Sequence, residues 1–560
     1  MKMIASIHSL LNRSIKLIAF LSISLNIPSA FAQLETVWVK RYHPTEYQRD
    51  YATAMALDSA GNVYVTGVSH LSSGIDIATV KYYTIGDTAW VRSYSGAADS
   101  TDWAQDIAVD PLGNVYVTGY SYSDSTYEDY LTIKYSPAGD ILWTRTYDGS
   151  DNICDGDVPW AVALDNAGNI YITGSCIDFD CNRNIVTIKY ASNGDSVWIA
   201  RYDGPEGNDD YASAMAVDDS GNVYITGVTS PDWTGPDFVT LKYYSDGEVA
   251  WARQYCNPES LYFGADYPEA IAVDHIGNVY VTGYTQRTYT DLDCTTIKYD
   301  VNGDTVWVRT FSGDGAHADR GVDIVADDLG FVYVFGQTYS ENTYNDYLTI
   351  KYSSNGDTEW VRVFDGTGNY QDFGYGLGID PYGNVFATGS SCVERYNWDY
   401  TTIMYYPDGA LGWVESYDGN EGEDSAIEIA LDPEGNIYVT GSSVGDNLDE
   451  DYATIKYRQT QVWLEENVVS EQRRPVHLSQ NNPNPFNPST TISYSIPEQS
   501  DVRIEIYNII GQRVATLLDG NKQAGYHSIV WQADNHPSGV YFARLEAGGR
   551  AENVKMVLLK

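Results

Sequence analysis

The 560 residues exceed what one hydrophobic core ordinarily supports, so several domains or a repeat array are expected. Hydrophobic side chains make up 43% and aromatic ones 13%, which excludes a disordered chain. Lys and Arg total 33 against 77 Asp and Glu, a formal charge of −44 that argues against nucleic acid as a partner, because phosphate binding needs clustered cations.

The chain opens with Lys2, Arg13 and Lys16, followed by an apolar run of eleven residues from Leu17 to Ile27 and the small-x-small pattern Ala30-Phe31-Ala32. This order predicts a signal peptide over 1–32, with Gln33 as the new terminus. Eleven residues rise only about 16 Å as a helix, too little to span a bilayer. No later stretch is long and apolar enough, so no transmembrane anchor is expected. All six cysteines follow the cleavage point and none forms a CxxC pair, which in an oxidising compartment favours disulfides over metal thiolates.

The phrase Gly61-Asn62-Val63-Tyr64-Val65-Thr66-Gly67 then recurs at Gly113, Gly168, Gly221, Gly277, Gly330, Gly383 and Gly435, at intervals of 52 to 56 residues. Eight copies at that period indicate a solenoid or a propeller. Each copy holds four short alternating segments, in the first AMALD (54–58), NVYVTG (62–67), ATVKY (78–82) and WVRSY (90–94). Four strands per unit and no helical period is the pattern of a propeller blade. Every unit joins its first two strands, A and B, through Asp-x-x-Gly, as in Asp58/Gly61 and Asp110/Gly113. There Asp accepts backbone N–H bonds and Gly takes the left-handed position, so these Asp read as turn residues.

Strand D carries Trp, a cation and an aromatic at two-residue spacing, as in Trp90/Arg92/Tyr94. Strand C supplies one Lys per unit, at Lys81, Lys134, Lys189, Lys242, Lys298, Lys351 and Lys456. The Trp and Tyr read as packing between blades, and the Lys as partners of repeat carboxylates. Before Trp463 the Gly-Asp turn is missing, whereas Trp38, Lys40 and Tyr42 form a good outer strand with no blade before it. The N-terminal strand is therefore expected to complete the eighth blade. The prediction is an all-β chain: an eight-bladed β-propeller of four-stranded blades closed by its first strand, over residues 33–463.

The unit DxxGNVYVTG…TIKY…GDxxWxRxY resembles the bacterial SBBP-type β-propeller repeat over residues 36–457. The resemblance implies the fold and says almost nothing of activity. The unit at Gly330 departs from it (GFVYVFG), as does the seventh, with Met404 for Lys and Glu415 for Arg. Both departures read as tolerance at single blades.

After a linker at 464–482, composition changes: residues 478–560 carry seven acids and seven bases, so the negative charge lies before them. Six alternating segments, TTISYSI, VRIEIYN, QRVATLL, YHSIVW, GVYFARL and VKMVLLK, predict a small antiparallel β-sandwich over 483–560. The motifs PNPFNPSTTISYSIP (483–497), VRIEIYNIIGQRV (502–514), SGVYFARL (538–545) and KMVLLK (555–560) closely resemble the type A C-terminal sorting domain of type IX secretion. That resemblance implies recognition by the type IX secretion machinery and export through the periplasm to the cell surface or the extracellular medium. In the family the domain is commonly removed.

On the propeller, the B–C and D–A loops are expected to share one face. The D–A loops bring Asp50, Asp102, Asp157, Asp210, Asp266, Asp319, Asp372 and Asp424 to the start of strand A, and a second set starts strand C at Asp76, Asp129, Asp237, Asp293, Asp346, Asp399 and Asp451. Tyr51, Trp103, Trp160, Tyr211, Tyr267 and Phe373 accompany the first set. Three readings stand: each Asp caps backbone as part of the repeat, the acids hold Ca²⁺, or acids and aromatics form a carbohydrate surface. No cofactor is expected beyond the possible Ca²⁺. Cys256 with Cys294, and Cys154 with Cys176 or Cys181, are the disulfide candidates, while Cys392 has no partner in its blade.

Catalytic patterns are poor. Gly441-Ser442-Ser443-Val444-Gly445 matches GxSxG but no helix follows it, and no HExxH, P-loop or dinucleotide fingerprint occurs. Uniform B–C loops favour a monomeric binding, adhesion or scaffold module with a carbohydrate or protein ligand. A polysaccharide-acting extracellular enzyme is the alternative.

Overall fold

The computed structural model describes residues 32–461 and 477–558, apart from short segments within each. Of the expected signal peptide over 1–32, residues 1–31 lie outside the described residues, as do Trp463 and Cys154. Among the described residues every regular element is a strand, and no helix is long and apolar enough to cross a membrane.

The first blade is the antiparallel sheet Asp50–Leu57, Val63–Leu71, Gly74–Tyr82 and Thr88–Tyr94, in chain order from A to D. Six more sheets of the same order occupy 102–147, 158–202, 210–255, 267–311, 320–364 and 372–417. The eighth holds Ser425–Leu431, Ile437–Val444 and Glu450–Gln461, and its outer strand is the N-terminal Ala32–Tyr42. The pairing runs antiparallel with Lys40 opposite Thr454, as the misplaced Trp38 strand required.

Strands B and C are buried on both sides, Ile170–Ile177 without interruption, because each blade is covered by two others. The hydrophobic core is accordingly a series of layers between blades. One joins Tyr64 and Trp90 to Ile107, Val115 and Ile133 of the second blade. Another joins Trp38, Tyr438 and Tyr452 of the eighth to Met55, Val65 and Val80 of the first.

The repeat signature is read out between neighbours. Trp90 Nε1 donates to Pro137 O at 3.1 Å, Lys81 Nζ to the same carbonyl at 3.4 Å and Arg92 Nε to Gly139 O at 2.6 Å. All three grip the C–D turn of the next blade. Gly139 sits there at φ +85, and an added Cβ would lie 2.8 Å from the Trp90 ring, so both backbone and space demand glycine. The grip repeats around the molecule, and from the eighth blade Trp38 Nε1 and Lys456 Nζ both reach Thr84 O at 3.1 Å.

This corrects the expectation for the lysines. Their main partner is a carbonyl of the next blade, with the ammonium also 4.4–5.1 Å from the centroid of a strand-B aromatic ring, Tyr64 for Lys81. Of the seven, Lys456 approaches a carboxylate, Asp432, to 4.0 Å. The departures of the seventh blade also acquire a cause. The eighth blade has no C–D turn of its own, because its outer strand comes from the N-terminus. Met404 and Glu415 stand where Lys and Arg would have nothing to grip, and Trp413 Nε1 has no partner among the described residues.

The cysteines follow the expectation only in part. Cys181 is disulfide-bonded, whereas Cys176, Cys256, Cys294 and Cys392 are not in disulfides. A Cys256–Cys294 bridge is not formed: Cys256 lies where the fourth blade meets the fifth and Cys294 where the fifth meets the sixth. Cys256 lies against Asp237 of the fourth blade, and burial together with that charge pushes its thiol up to about 12. Cys294 is buried, with Sγ beside Gly321 of the following blade.

The C-terminal segment forms two sheets: His477–Leu478, Ser489–Ile496 and Gly525–Gln532, and then Arg513–Lys522, Ser500–Asn508, Gly539–Ala547 and Arg550–Leu558. Its core contains Phe486, Ile492, Ile504, Trp531, Leu545 and Leu558, all within this segment.

Candidate ligand face

Backbone hydrogen bonds place the D–A loops beside the starts of strand C, as expected for one shared face. Asp266 N donates to Pro236 O, Asp319 N to Leu292 O and Asp424 N to Trp398 O, at 2.7 to 2.8 Å. The acid at the start of strand A ties this face together. Asp102, Asp157, Asp210, Asp266, Asp319, Asp372 and Asp424 each accept a D–A loop amide at 2.5–2.8 Å, from Gly in six cases and from Asn257 for Asp266. The second oxygen often takes a donor from the end of strand B, as with Ile177 N to Asp157 and Val444 N to Asp424. Asp50 accepts Ser69 Oγ and His70 N. All eight are buried. Capping of the repeat is therefore the role the geometry displays for the set as a whole.

Burial also makes these carboxyls hard to ionise. It pushes Asp50, Asp210 and Asp266 up to about 6, against the hydrogen bonds that favour the charge. Asp372 rises furthest, to about 7, through burial first and the charges of Asp346 and Asp365 besides.

At four interfaces the two acid sets converge with a third group from the end of strand D. Ligand atoms of His43, Asp50 and Asp451, of Asp237, Cys256 and Asp266, of Asp346, Asp365 and Asp372, and of Asp399, Asp418 and Asp424 lie within 4.8 Å of one another in each group. The reading by residue type alone had the first two members and missed the third. Its signal was a polar residue directly after the strand-D aromatic: His43 after Tyr42, Cys256 after Tyr255, Asp365 after Phe364 and Asp418 after Tyr417.

Five of the six expected aromatics share one position, directly after or beside the capping Asp. Trp103 stacks on Tyr120 with centroids 6.5 Å apart, Phe373 on Trp398 at 5.3 Å, and Tyr267 meets Tyr284 at 5.4 Å. Tyr51 packs edge-on to His70, and Tyr211 lies beneath the guanidinium of Arg183. Trp160 differs: it is the extra residue of a bulge between Pro159 and Ala161 and is 45% exposed.

The innermost strands hold a second set of acids that residue type did not reveal. Asp106 accepts Val162 N, Asp323 accepts Leu377 N and Glu428 accepts Met55 N, each from the next blade. They stand at the register position that is Ala54 in the first blade and Ala161 in the third. Burial, aided by the charges of Asp106 and Asp323, pushes Glu428 up to about 8. Ser443, the central residue of the GxSxG match, is buried and accepts Arg41 Nη1 at 2.9 Å. It is part of an ion-pair cluster in which Arg41 Nε and His43 Nδ1 lie 3.5 and 2.7 Å from Asp451.

Comparison with known proteins agrees with this architecture. Residues 90–125, 197–231, 365–393 and 411–449 match the model of a beta-propeller repeat, SBBP. Residues 482–559 match that of a secretion system C-terminal sorting domain. No curated protein matches the chain. Among solved structures, the polysaccharide lyase Uly1 is similar at 11% identity and a TM-score of 0.40, over 63% of this chain and 89% of that one. PorZ, a surface component of the type IX secretion system of Porphyromonas gingivalis, is similar at 12% identity and 0.31, over 90% and 74%. The WD40 domain of SCAP from fission yeast is similar at 9% identity and 0.42, over 76% and 98%. These scores are too low to bear on what this chain does. The chain thus carries SBBP beta-propeller repeats and a type IX C-terminal sorting domain, which indicates export to the cell surface or the extracellular space.

Proposed function

We propose that the exported propeller is a binding or adhesion module that presents its B–C and D–A loop face to a carbohydrate or protein ligand. The observation that supports this reading is the set of aromatic side chains distributed around that face, with Trp160 exposed and Phe373 stacked on Trp398. A flat ring beside carboxylates can cover the apolar face of a sugar while the acids take its hydroxyls. The capping acids, being engaged with backbone, serve to hold the loops in place.

A glycan-array screen of the mature full-length protein, followed by titration of any hit, tests the proposal. Trp160→Ala and Trp398→Ala are expected to weaken binding by about tenfold each, roughly 1.4 kcal/mol, with unchanged circular dichroism. Binding that is indifferent to both substitutions would remove this face as the site. Release of new reducing ends from a bound polysaccharide would replace adhesion with the enzyme reading.

A further inference from the structure

Of the four triads, the one between the sixth and seventh blades differs in how its acids are compensated. Between the eighth and first blades, Asp451 pairs with the guanidinium of Arg41 and lies 2.7 Å from His43 Nδ1. Between the fourth and fifth, Cys256 replaces one acid and Gln254 Nε2 donates to Asp237 at 3.0 Å. Between the seventh and eighth, the charge of Arg41 acts on Asp424. Asp346, Asp365 and Asp372 have no such neighbour: among the described residues no basic side chain pairs with any of them.

The geometry around them is that of a cradle with one open side. Asp346 is 3% exposed; its Oδ2 accepts Thr343 Oγ1 at 2.7 Å, while its buried Oδ1 has no hydrogen-bond partner. Asp372 is 1% exposed; its Oδ2 is held by Gly366 N, and the Ser391 hydroxyl also favours its charged form. Asp365 is exposed and closes the group from the solvent side. A Cβ on Gly366 would stand 2.8 Å from Asp372 Oδ1, so this oxygen is kept clear of side chain on that flank. A carboxylate oxygen buried without a donor, as Asp346 Oδ1 is, is costly on its own. Three carboxylates with ligand atoms inside 4.8 Å repel one another as well.

We propose that Asp346, Asp365 and Asp372 bind one Ca²⁺ ion that ties the start of strand C in the sixth blade to the D–A loop entering the seventh. An all-oxygen donor set of three carboxylates suits a hard cation, and two oxygens bound to one Ca²⁺ at about 2.3–2.6 Å can stand nearly 5 Å apart. The ion supplies the charge that Arg41 supplies at the eighth blade. Its coordination is completed by water on the side of Asp365. The pKa values of Asp346, raised to about 6, and Asp372, raised to about 7, reflect burial first and mutual repulsion next.

The test uses the full-length mature protein stripped with EGTA. Calorimetric titration with CaCl₂ is expected to show saturable binding, and thermal unfolding is expected to shift upward by several degrees in excess Ca²⁺. Asp365→Asn removes an exposed ligand that holds no buried backbone, and Asp346→Asn removes the orphaned oxygen's charge. Each is expected to weaken binding by roughly tenfold or more and to abolish the thermal shift. Absence of saturable binding by the parent protein would overturn the proposal in favour of a proton shared by the acids. Full binding by both variants, or an equal shift with NaCl at matched ionic strength, would overturn it too.

Discussion

The capping Asp of each A–B turn illustrates how one side chain sets several local choices. Asp58 Oδ1 accepts the amides of Ala60 and Asn62, and its Oδ2 accepts Asn62 Nδ2 and Tyr64 Oη, at 2.8–3.0 Å. Burial works against its charge, yet these donors outweigh it and hold Asp58 below the usual carboxylate range. In the sixth blade Phe331 replaces the Asn, one donor is lost, and burial prevails: Asp327 is raised instead. Phe331→Asn is therefore expected to bring the Asp327 titration below its present position, which carboxyl ¹³C NMR reads directly. An unchanged titration would show that Phe331, which packs against Lys351, is not what sets it.

At the scale of the element, each strand pair is incomplete without the next blade's C–D turn. Trp, Lys and Arg converge on two carbonyls of that turn, so a buried ammonium is satisfied by a backbone oxygen and an aromatic ring. The seventh blade faces a neighbour without such a turn, and Met404 there is 1% exposed. Restoring the repeat residue with Met404→Lys is expected to destabilise the protein by on the order of 2 kcal/mol, because the ammonium would be buried without its carbonyl. Urea unfolding measures this. A neutral or stabilising result would mean that Lys at this position finds another acceptor. The N-terminal strand also covers the edge of Glu450–Gln461, which would otherwise offer a template for pairing with another chain.

For the whole molecule, the dominant electrostatic fact is a set of buried acids raised above their unfolded values. Glu428 stands at about 8, Asp372 at about 7, and Asp106 and Asp323 at about 6, with burial first in every case. A carboxyl whose folded pKa is raised contributes stability that is fully present below its unfolded pKa and is lost as pH rises through the folded one. Without divalent cations, the unfolding temperature is thus expected to fall between pH 5 and about 8. Glu428→Gln keeps an oxygen for the Met55 amide and removes the charge, so the loss near pH 8 should shrink. Differential scanning fluorimetry across this range in EGTA checks both. A flat profile in the parent protein would show that these groups ionise as readily folded as unfolded. Acids such as Asp58 and Asp165, held below the usual range by their donors despite burial, act in the opposite sense and only in strong acid.

Much of the architecture was legible in the residues because it is written at short range. The Asp58 to Tyr64 clamp spans six residues, so it leaves a short recurring phrase with few changes and fixes the hairpin and the period. The same regularity exposed Trp38 as an outer strand without a blade and the tail as a different kind of chain. Contacts between blades join residues about fifty positions apart, as with Trp90 and Pro137 at a separation of 47. Nothing in the local pattern distinguishes a Lys seeking a carboxylate from one seeking a carbonyl. The same distance in sequence hid the acid triads, which take members from strand C, the end of strand D and the next strand A, and the amide-binding acids Asp106, Asp323 and Glu428. It also kept Cys256 and Cys294 apart, because each lies at a different interface between blades.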